Sequence, residues 1–219
     1  MDKTRLIIVE DQPLFRELLR RTLSTEPALE VVGVAEDAET ALQLARETLP
    51  DVVLTDIELP GEMDGIEAAL HIKRERPRTG IVILSVHTGR RYITSLPIED
   101  SKGWAYLLKQ TVPDLETVIR AIEGSKAGML VLDPALVKYL RPKEGSSLAH
   151  LTTKQQEVLE LIAQGYNNTA IADKLSLSER SVETYINVIY RELGLTNEPD
   201  IHARVKATLF YLNNTRNLQ

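Results

Sequence analysis

The amino-acid sequence predicts an α/β domain on a doubly wound, five-stranded parallel sheet, followed by a small all-α domain. Three observations predict it. Over the first 124 residues, short apolar runs alternate five times with segments of helical period. From residue 148 onward only the helical period persists. The length of 219 residues exceeds one small module and suits two modest domains, at roughly 100–200 residues each.

The five runs are Leu6-Ile7-Ile8-Val9, Val31-Val32-Gly33-Val34, Val52-Val53-Leu54, Ile81-Val82-Ile83-Leu84 and Trp104-Ala105-Tyr106-Leu107-Leu108. Their continuous, largely β-branched character predicts strands buried on both faces. Apolar residues then recur at i, i+3 or i+4: Leu14, Leu18, Leu19 and Leu23; Ala38, Ala41, Leu42, Ala45 and Leu49; Ile66, Ala69 and Leu70; Leu115, Val118, Ile119 and Ile122. The helix between the fourth and fifth runs has only His87 to Ser95 before Leu96-Pro97 interrupts it, and is expected short or distorted.

Residues 1–124 are therefore read as one domain and 125–147 as a linker. Within the latter lie a short apolar patch from Met129 to Leu132 and a possible helix opened by Asp133-Pro134. Residues 148–219 form the second domain. There Thr152 with Gln155 reads as a capping box, Gly165 as a helix stop and Asn168 as the next cap. Ser176-Leu177-Ser178 leads into a longer helix with Val182, Ile186, Ile189 and Leu193 on one stripe, closed by Gly194. A last helix runs from about Ile201 to Leu212. The turn of about three residues between the two central helices is the helix-turn-helix spacing.

Composition excludes several classes. At 43% hydrophobic and 26% charged the chain is not disordered throughout. No apolar run reaches the ~18–20 residues that cross a bilayer, and Met1-Asp2-Lys3-Thr4-Arg5 precedes no signal-peptide pattern. No membrane partner and a cytoplasmic location are expected. Without cysteine, any chemistry must use oxygen or nitrogen groups. The net charge of -6 lies in the front: residues 1–126 carry 16 Lys+Arg against 22 Asp+Glu, and residues 148–219 carry 7 against 8. The near-neutral back half lacks a broad basic footprint.

In an open parallel sheet, ligands bind beyond the carboxyl ends of the strands. Glu10 and Asp11 follow the first strand, Asp56 the third, Ser85 the fourth and Lys109 the fifth. Converging carboxylates repel one another unless a cation joins them, and all-oxygen ligation suits a hard ion such as Mg²⁺. A lysine and a serine opposite form a clamp for a phosphoryl group. Asp56 would then be the nucleophile that becomes an aspartyl phosphate.

The segments Ile7-Ile8-Val9-Glu10-Asp11-Gln12-Pro13, Val52-Val53-Leu54-Thr55-Asp56-Ile57-Glu58-Leu59-Pro60-Gly61 and Trp104 to Lys109 resemble the receiver domain of two-component response regulators, a flavodoxin-like fold. Leu151 to Leu159, through Leu193-Gly194-Leu195, resembles the LuxR-type helix-turn-helix. Together the chain resembles the NarL/FixJ class of transcription regulators. The resemblance implies that Asp56 takes a phosphoryl group from a sensor histidine kinase and that Glu10, Asp11, Asp56 and the Glu58 backbone carbonyl bind Mg²⁺. It implies further that Ser85 and Lys109 contact the phosphoryl group and that Tyr106 is the aromatic switch. Three departures stand out: Gln110 where a proline is usual, one extra residue in Pro60 to Gly65, and a poor match over Gly89 to Lys102.

Ser178 is placed to cap the helix from Glu179 to Leu193, whose outward residues are Arg180, Glu183, Thr184, Asn187, Tyr190 and Arg191. Asn187 could read adenine, Thr184 a thymine methyl, and Arg180 and Arg191 could hold phosphates of double-stranded DNA, with Lys154 and Lys174 adding backbone contacts. Glu183 repels phosphate unless it accepts from a cytosine amine. Weak binding per monomer favours a homodimer on phosphorylation, with Ile201, Val205, Leu209 and Leu212 as a candidate surface. Two alternatives are an output domain that binds protein and an aspartyl-nucleophile phosphatase, in which Glu58 would stand at the acid/base position; the expectation is a regulator and not an enzyme.

Overall fold

The computed structural model describes residues 2–86, 102–110, 114–142, 146–195 and 203–217. The helix expected over His87 to Ser95 lies outside them, as do Ile201 and all but Lys102 of the departure over Gly89 to Lys102. Two compact units divide between residues 128 and 129.

In the first unit β1 (Thr4–Val9), β2 (Leu29–Ala35), β3 (Val52–Asp56), β4 (Gly80–Ser85) and β5 (Trp104–Leu108) alternate with α1 (Pro13–Ser24), α2 (Ala38–Thr48), α3 (Gly65–Glu75) and α4 (Leu115–Lys126). The pairings β1 with β2, β1 with β3, β3 with β4 and β4 with β5 are all parallel. Within this unit the strand order is β2-β1-β3-β4-β5. A sixth strand, β6 (Val131–Leu132), which the sequence does not predict, lies past the boundary; it is two residues long, too short for any periodicity to mark it. Every residue of β3, β4 and β5 is buried, as expected. β2 departs: as an edge strand it keeps only its first and last residues buried.

Local chemistry sets the helix starts. Asp37, Asp64 and Asp114 cap α2, α3 and α4 by accepting from Thr40, Glu67 and Thr117 backbone N–H groups at 2.7, 2.8 and 2.9 Å. α1 has no side-chain cap and starts on Pro13, whose missing N–H costs nothing there.

In the second unit, the described residues from 129 to 142 of the segment predicted as a linker carry a helix and short strands. α5 (Pro134–Tyr139) opens where Asp133 accepts from the Ala135 N–H at 2.7 Å, as the sequence suggests. β7 (Leu140–Pro142) pairs antiparallel with β8 (Thr215–Asn217), a contact between positions more than seventy residues apart. No sequence pattern announces it. Among the described residues a 3-10 turn (Ser147–His150) and four further α-helices follow: α6 (Thr153–Ala163), α7 (Asn168–Leu175), α8 (Glu179–Glu192) and α9 (Ala203–Asn213). The Thr152 and Gln155 capping box forms. Gly165 adopts φ +82°, and a Cβ there would come within 2.9 Å of Val131. Asn167, one residue before the predicted cap, closes the start of α7. Ser178 caps α8 through the Ser181 N–H at 3.1 Å. The core of this unit includes Val158, Leu159, Ile162, Ile171, Val182, Ile189 and Val205.

Candidate functional site

In the order β2-β1-β3-β4-β5 the chain turns to opposite sides of β1, so a crevice opens beyond the ends of β1 and β3. Glu10 leaves β1 fully buried and its N–H donates to the Ala35 carbonyl at 3.0 Å, while Asp11 is exposed. Asp56 is the last residue of β3 and Ser85 of β4, both buried. Lys109 follows β5, where its backbone N–H donates to the Ser85 carbonyl at 2.8 Å.

The Lys109 ammonium binds Asp56 Oδ2 at 2.6 Å and Glu10 at 2.8 and 3.1 Å. It also lies 4.9 Å from the centre of the Phe15 ring. Gln110 in place of proline therefore does not keep the lysine from Asp56. The other Asp56 oxygen, Oδ1, accepts from the Ile57 and Glu58 N–H groups at 2.6 and 3.4 Å. Burial raises the Glu10 carboxyl above its usual range, against the pull of Lys109 and with the push of Asp56. Burial works to lower the Lys109 ammonium, but its hydrogen bonds to Asp56 and Glu10 prevail and it is raised. The lysine thus stays charged.

One oxygen each of Glu10, Asp11 and Asp56 lies within 4.8 Å of the others. This all-oxygen set fits a hard divalent cation. Tyr106 sits fully buried on β5, beside Ile83 of β4. Glu58 is exposed, and its contact with Asp56 runs through its N–H.

Two supporting residues escape sequence reasoning. Arg16 on α1 donates to the Glu10 carbonyl at 2.5 Å, the Asp11 carbonyl at 3.2 Å and the Glu36 carboxylate at 3.3 Å, bracing the turn that presents both acids. Gly65 starts α3 so close to β3 that a Cβ would stand 1.7 Å from the Asp56 carbonyl oxygen, and its N–H donates to the Ile57 carbonyl at 2.9 Å. Only the second left a trace, as the glycine behind the Asp64 cap.

In the second unit α8 exposes Arg180, Glu183, Thr184, Asn187 and Arg191, as predicted, and Lys174 is exposed at the end of α7. The Lys174 ammonium lies 4.6 Å from the centre of the Tyr166 ring. Tyr190, expected on the outward face, is half-buried, and burial raises its hydroxyl pKa. Arg204 of α9 donates to the Tyr166 carbonyl at 2.6 Å and to Asn168 at 3.1 Å. It joins the α6–α7 turn to the last helix. Burial lowers its pKa, partly offset by Tyr190.

A response regulator receiver domain model matches residues 6–123, and a bacterial regulatory protein model of the luxR family matches residues 149–204. The chain belongs to the response regulators that join a receiver to a LuxR-type DNA-binding domain. Among its relatives, the transcriptional regulatory protein DegU of Brevibacillus brevis is 30% identical over 217 residues, with 90% of each chain covered. The nitrate/nitrite response regulator protein NarP of Escherichia coli is 32% identical over 213 residues, covering 95% of this chain and 94% of that one. A solved structure of two RcsB dimers bound to two parallel DNAs is 27% identical, with a TM-score of 0.53, covering 97% of this chain and 99% of that one. The signal receiver domain of the response regulator NarL from Mycobacterium tuberculosis is 31% identical, with a TM-score of 0.50, over 57% of this chain and 99% of that one.

Proposed function

We propose that Asp56 accepts a phosphoryl group from the phosphohistidine of a sensor histidine kinase, and that this controls binding of double-stranded DNA and transcription. The observation that supports it most is the Lys109 ammonium lying 2.6 Å from Asp56 and 2.8 Å from Glu10, groups delivered by three separate strands. A buried carboxylate of ordinary structural use has no need of that arrangement.

In the transfer, an Asp56 carboxylate oxygen attacks phosphorus in line with the leaving imidazole. The P–O bond forms as the P–N bond breaks, and the histidine nitrogen departs with the bonding pair and takes up a proton. Lys109 leaves its pairing with the carboxylates to meet the phosphoryl oxygens, and Ser85 donates its hydroxyl to one of them. Glu10, Asp11, Asp56 and the Glu58 carbonyl would hold Mg²⁺, which when bound supplies neutralising charge at those oxygens. Tyr106 responds by changing rotamer on β5.

The site is read as a switch and not as a catalyst of metabolite turnover. Residues 1–124 are assigned to the receiver, 125–147 to a connecting region and 148–219 to the DNA-binding domain. Arg180, Glu183, Thr184, Asn187 and Arg191 of α8 face the major groove, with Lys174 on the backbone, and two phosphorylated chains pair on DNA. The protein acts in the cytoplasm, and among the described residues no helix is long and apolar enough to cross a membrane. Intact-mass measurement with a small phospho-donor and Mg²⁺ should show one added phosphoryl group in the wild type and none in Asp56→Asn. Equal uptake by both would refute the assignment. Retention on duplex DNA that weakens steeply with salt tests the output; no retention at low salt would favour a protein partner.

A further inference from the structure

α8 turns one stripe to solvent, with Arg180, Thr184, Asn187 and Arg191 recurring at helical spacing and Glu183 flanking them, all exposed. Two acids of this unit have cationic partners, Glu157 with Lys154 at 2.9 Å and Glu192 3.8 Å from Arg191. Exposed Asp173 and Glu179 make no ion pair among the described residues, but Asp173 lies on α7 and Glu179 in the first turn of α8, where the helix dipole favours an acid. Glu183 makes no hydrogen bond or ion pair among the described residues. Arg180 stands three positions before it, a spacing at which opposite charges readily meet, yet the two do not pair. Glu183 is the fifth residue of α8, past the first turn where the helix dipole favours an acid. No contact among the described residues therefore ties its carboxylate to the fold.

In a major groove that carboxylate is an acceptor only, and the phosphates on either side repel it. The donors there are the exocyclic amines of cytosine and adenine. On adenine the amine stands beside N7, an acceptor that repels the second carboxylate oxygen. On cytosine the neighbour is a C–H. We infer that Glu183 is a specificity-determining residue that selects a cytosine by accepting from its N4 amine, close to the base read by Asn187 one turn further on. The same charge weakens binding to every other sequence, because at a wrong site the carboxylate meets phosphate or an acceptor with nothing in return. The inference rests on the DNA-binding reading of this domain.

The test uses the full chain, treated with a small phospho-donor and Mg²⁺, to select fragments from random duplex DNA. Wild type and Glu183→Ala are compared, with a thermal midpoint to show that the variant folds. Wild type should fix one cytosine in each half-site, and replacing it by any other base should weaken binding about tenfold or more. Glu183→Ala should bind the four variants of that position within about twofold of one another, with the same dependence on salt. If Glu183→Ala still fixes the cytosine, its partner guanine is being read by another residue and the inference fails. A wild-type site without a fixed cytosine overturns it equally. Wild type that enriches no sequence and shows no salt-dependent retention overturns the DNA-binding reading as well, which separates the two failures.

Discussion

Lys109→Met removes the ammonium that neutralises two buried carboxylates while keeping an apolar stem against Phe15. The side chains of Lys109, Glu10 and Asp56 are 10%, 1% and 7% exposed, so water can replace little of what is lost. Breaking a buried pair from one side costs about 3–5 kcal/mol. Asp11 on the exposed rim lets some solvent reach the cluster, which argues for the lower end, roughly 3 kcal/mol. At a urea dependence of about 2 kcal/mol per molar, that is a fall of about 1.5 M in midpoint. The assay can isolate the sheet unit, because the chain has one tryptophan and Trp104 is wholly buried in β5. Its fluorescence reports unfolding of that unit even when the helical unit unfolds separately. Millimolar Mg²⁺ should restore part of the loss, since a cation that binds among the carboxylates binds the folded state. Phosphorylation of the variant should be slower. A Trp104 midpoint in Lys109→Met within about 0.5 kcal/mol of wild type, at neutral pH and without metal, would refute the account of Lys109 as the charge that holds this site together.

Gly65→Ala should cost at least about 2 kcal/mol by the same tryptophan signal and slow phosphorylation of Asp56, because a Cβ 1.7 Å from the Asp56 carbonyl can fit only if the backbone moves. Ordinary stability and phosphorylation in that variant would show that the approach of α3 to β3 is not tight. Glu75 is held below its usual carboxylate range by hydrogen bonds from Arg46. Its contribution to stability is therefore complete above pH 4.5, the unfolded value, and is lost as pH falls through the lower folded value. An NMR titration should place the Glu75 midpoint below 4.5 in wild type and return it toward 4.5 in Arg46→Ala, with the difference shrinking in high salt because both side chains are largely exposed. Identical midpoints at low salt would contradict the pairing.

The fold was legible where a signal is repeated along the chain. Continuous apolar runs mark β1, β3, β4 and β5 because each must bury both faces, and the capping residues Thr152 and Ser178 mark helix starts because each serves its own backbone three residues on. β2 carries a similar apolar run yet lies at an edge, since strand order depends on pairings that a single run does not encode. The ribbon of β7 and β8 is further from view: each strand has three residues, and their partnership spans most of the second unit.

The site divides along the same line. Strand-end position identified Glu10, Asp56, Ser85 and Lys109, because in a parallel sheet the ends of neighbouring strands must open on one side, and chemistry-bearing residues at several of them have to converge. Arg16, Gly65 and Arg204 could not be found that way, since each acts on the backbone of a distant or unrelated element: carbonyls of Glu10 and Asp11, the carbonyl of Asp56, the carbonyl of Tyr166. A backbone acceptor is the same at every position and leaves no residue-specific mark. Arg16 makes the consequence concrete. Its three contacts hold the Glu10–Asp11 turn and reach Glu36 beyond β2, so the placement of two predicted acids depends on an arginine that, read along α1, is one more charge in a helix also carrying Glu17, Arg20 and Arg21.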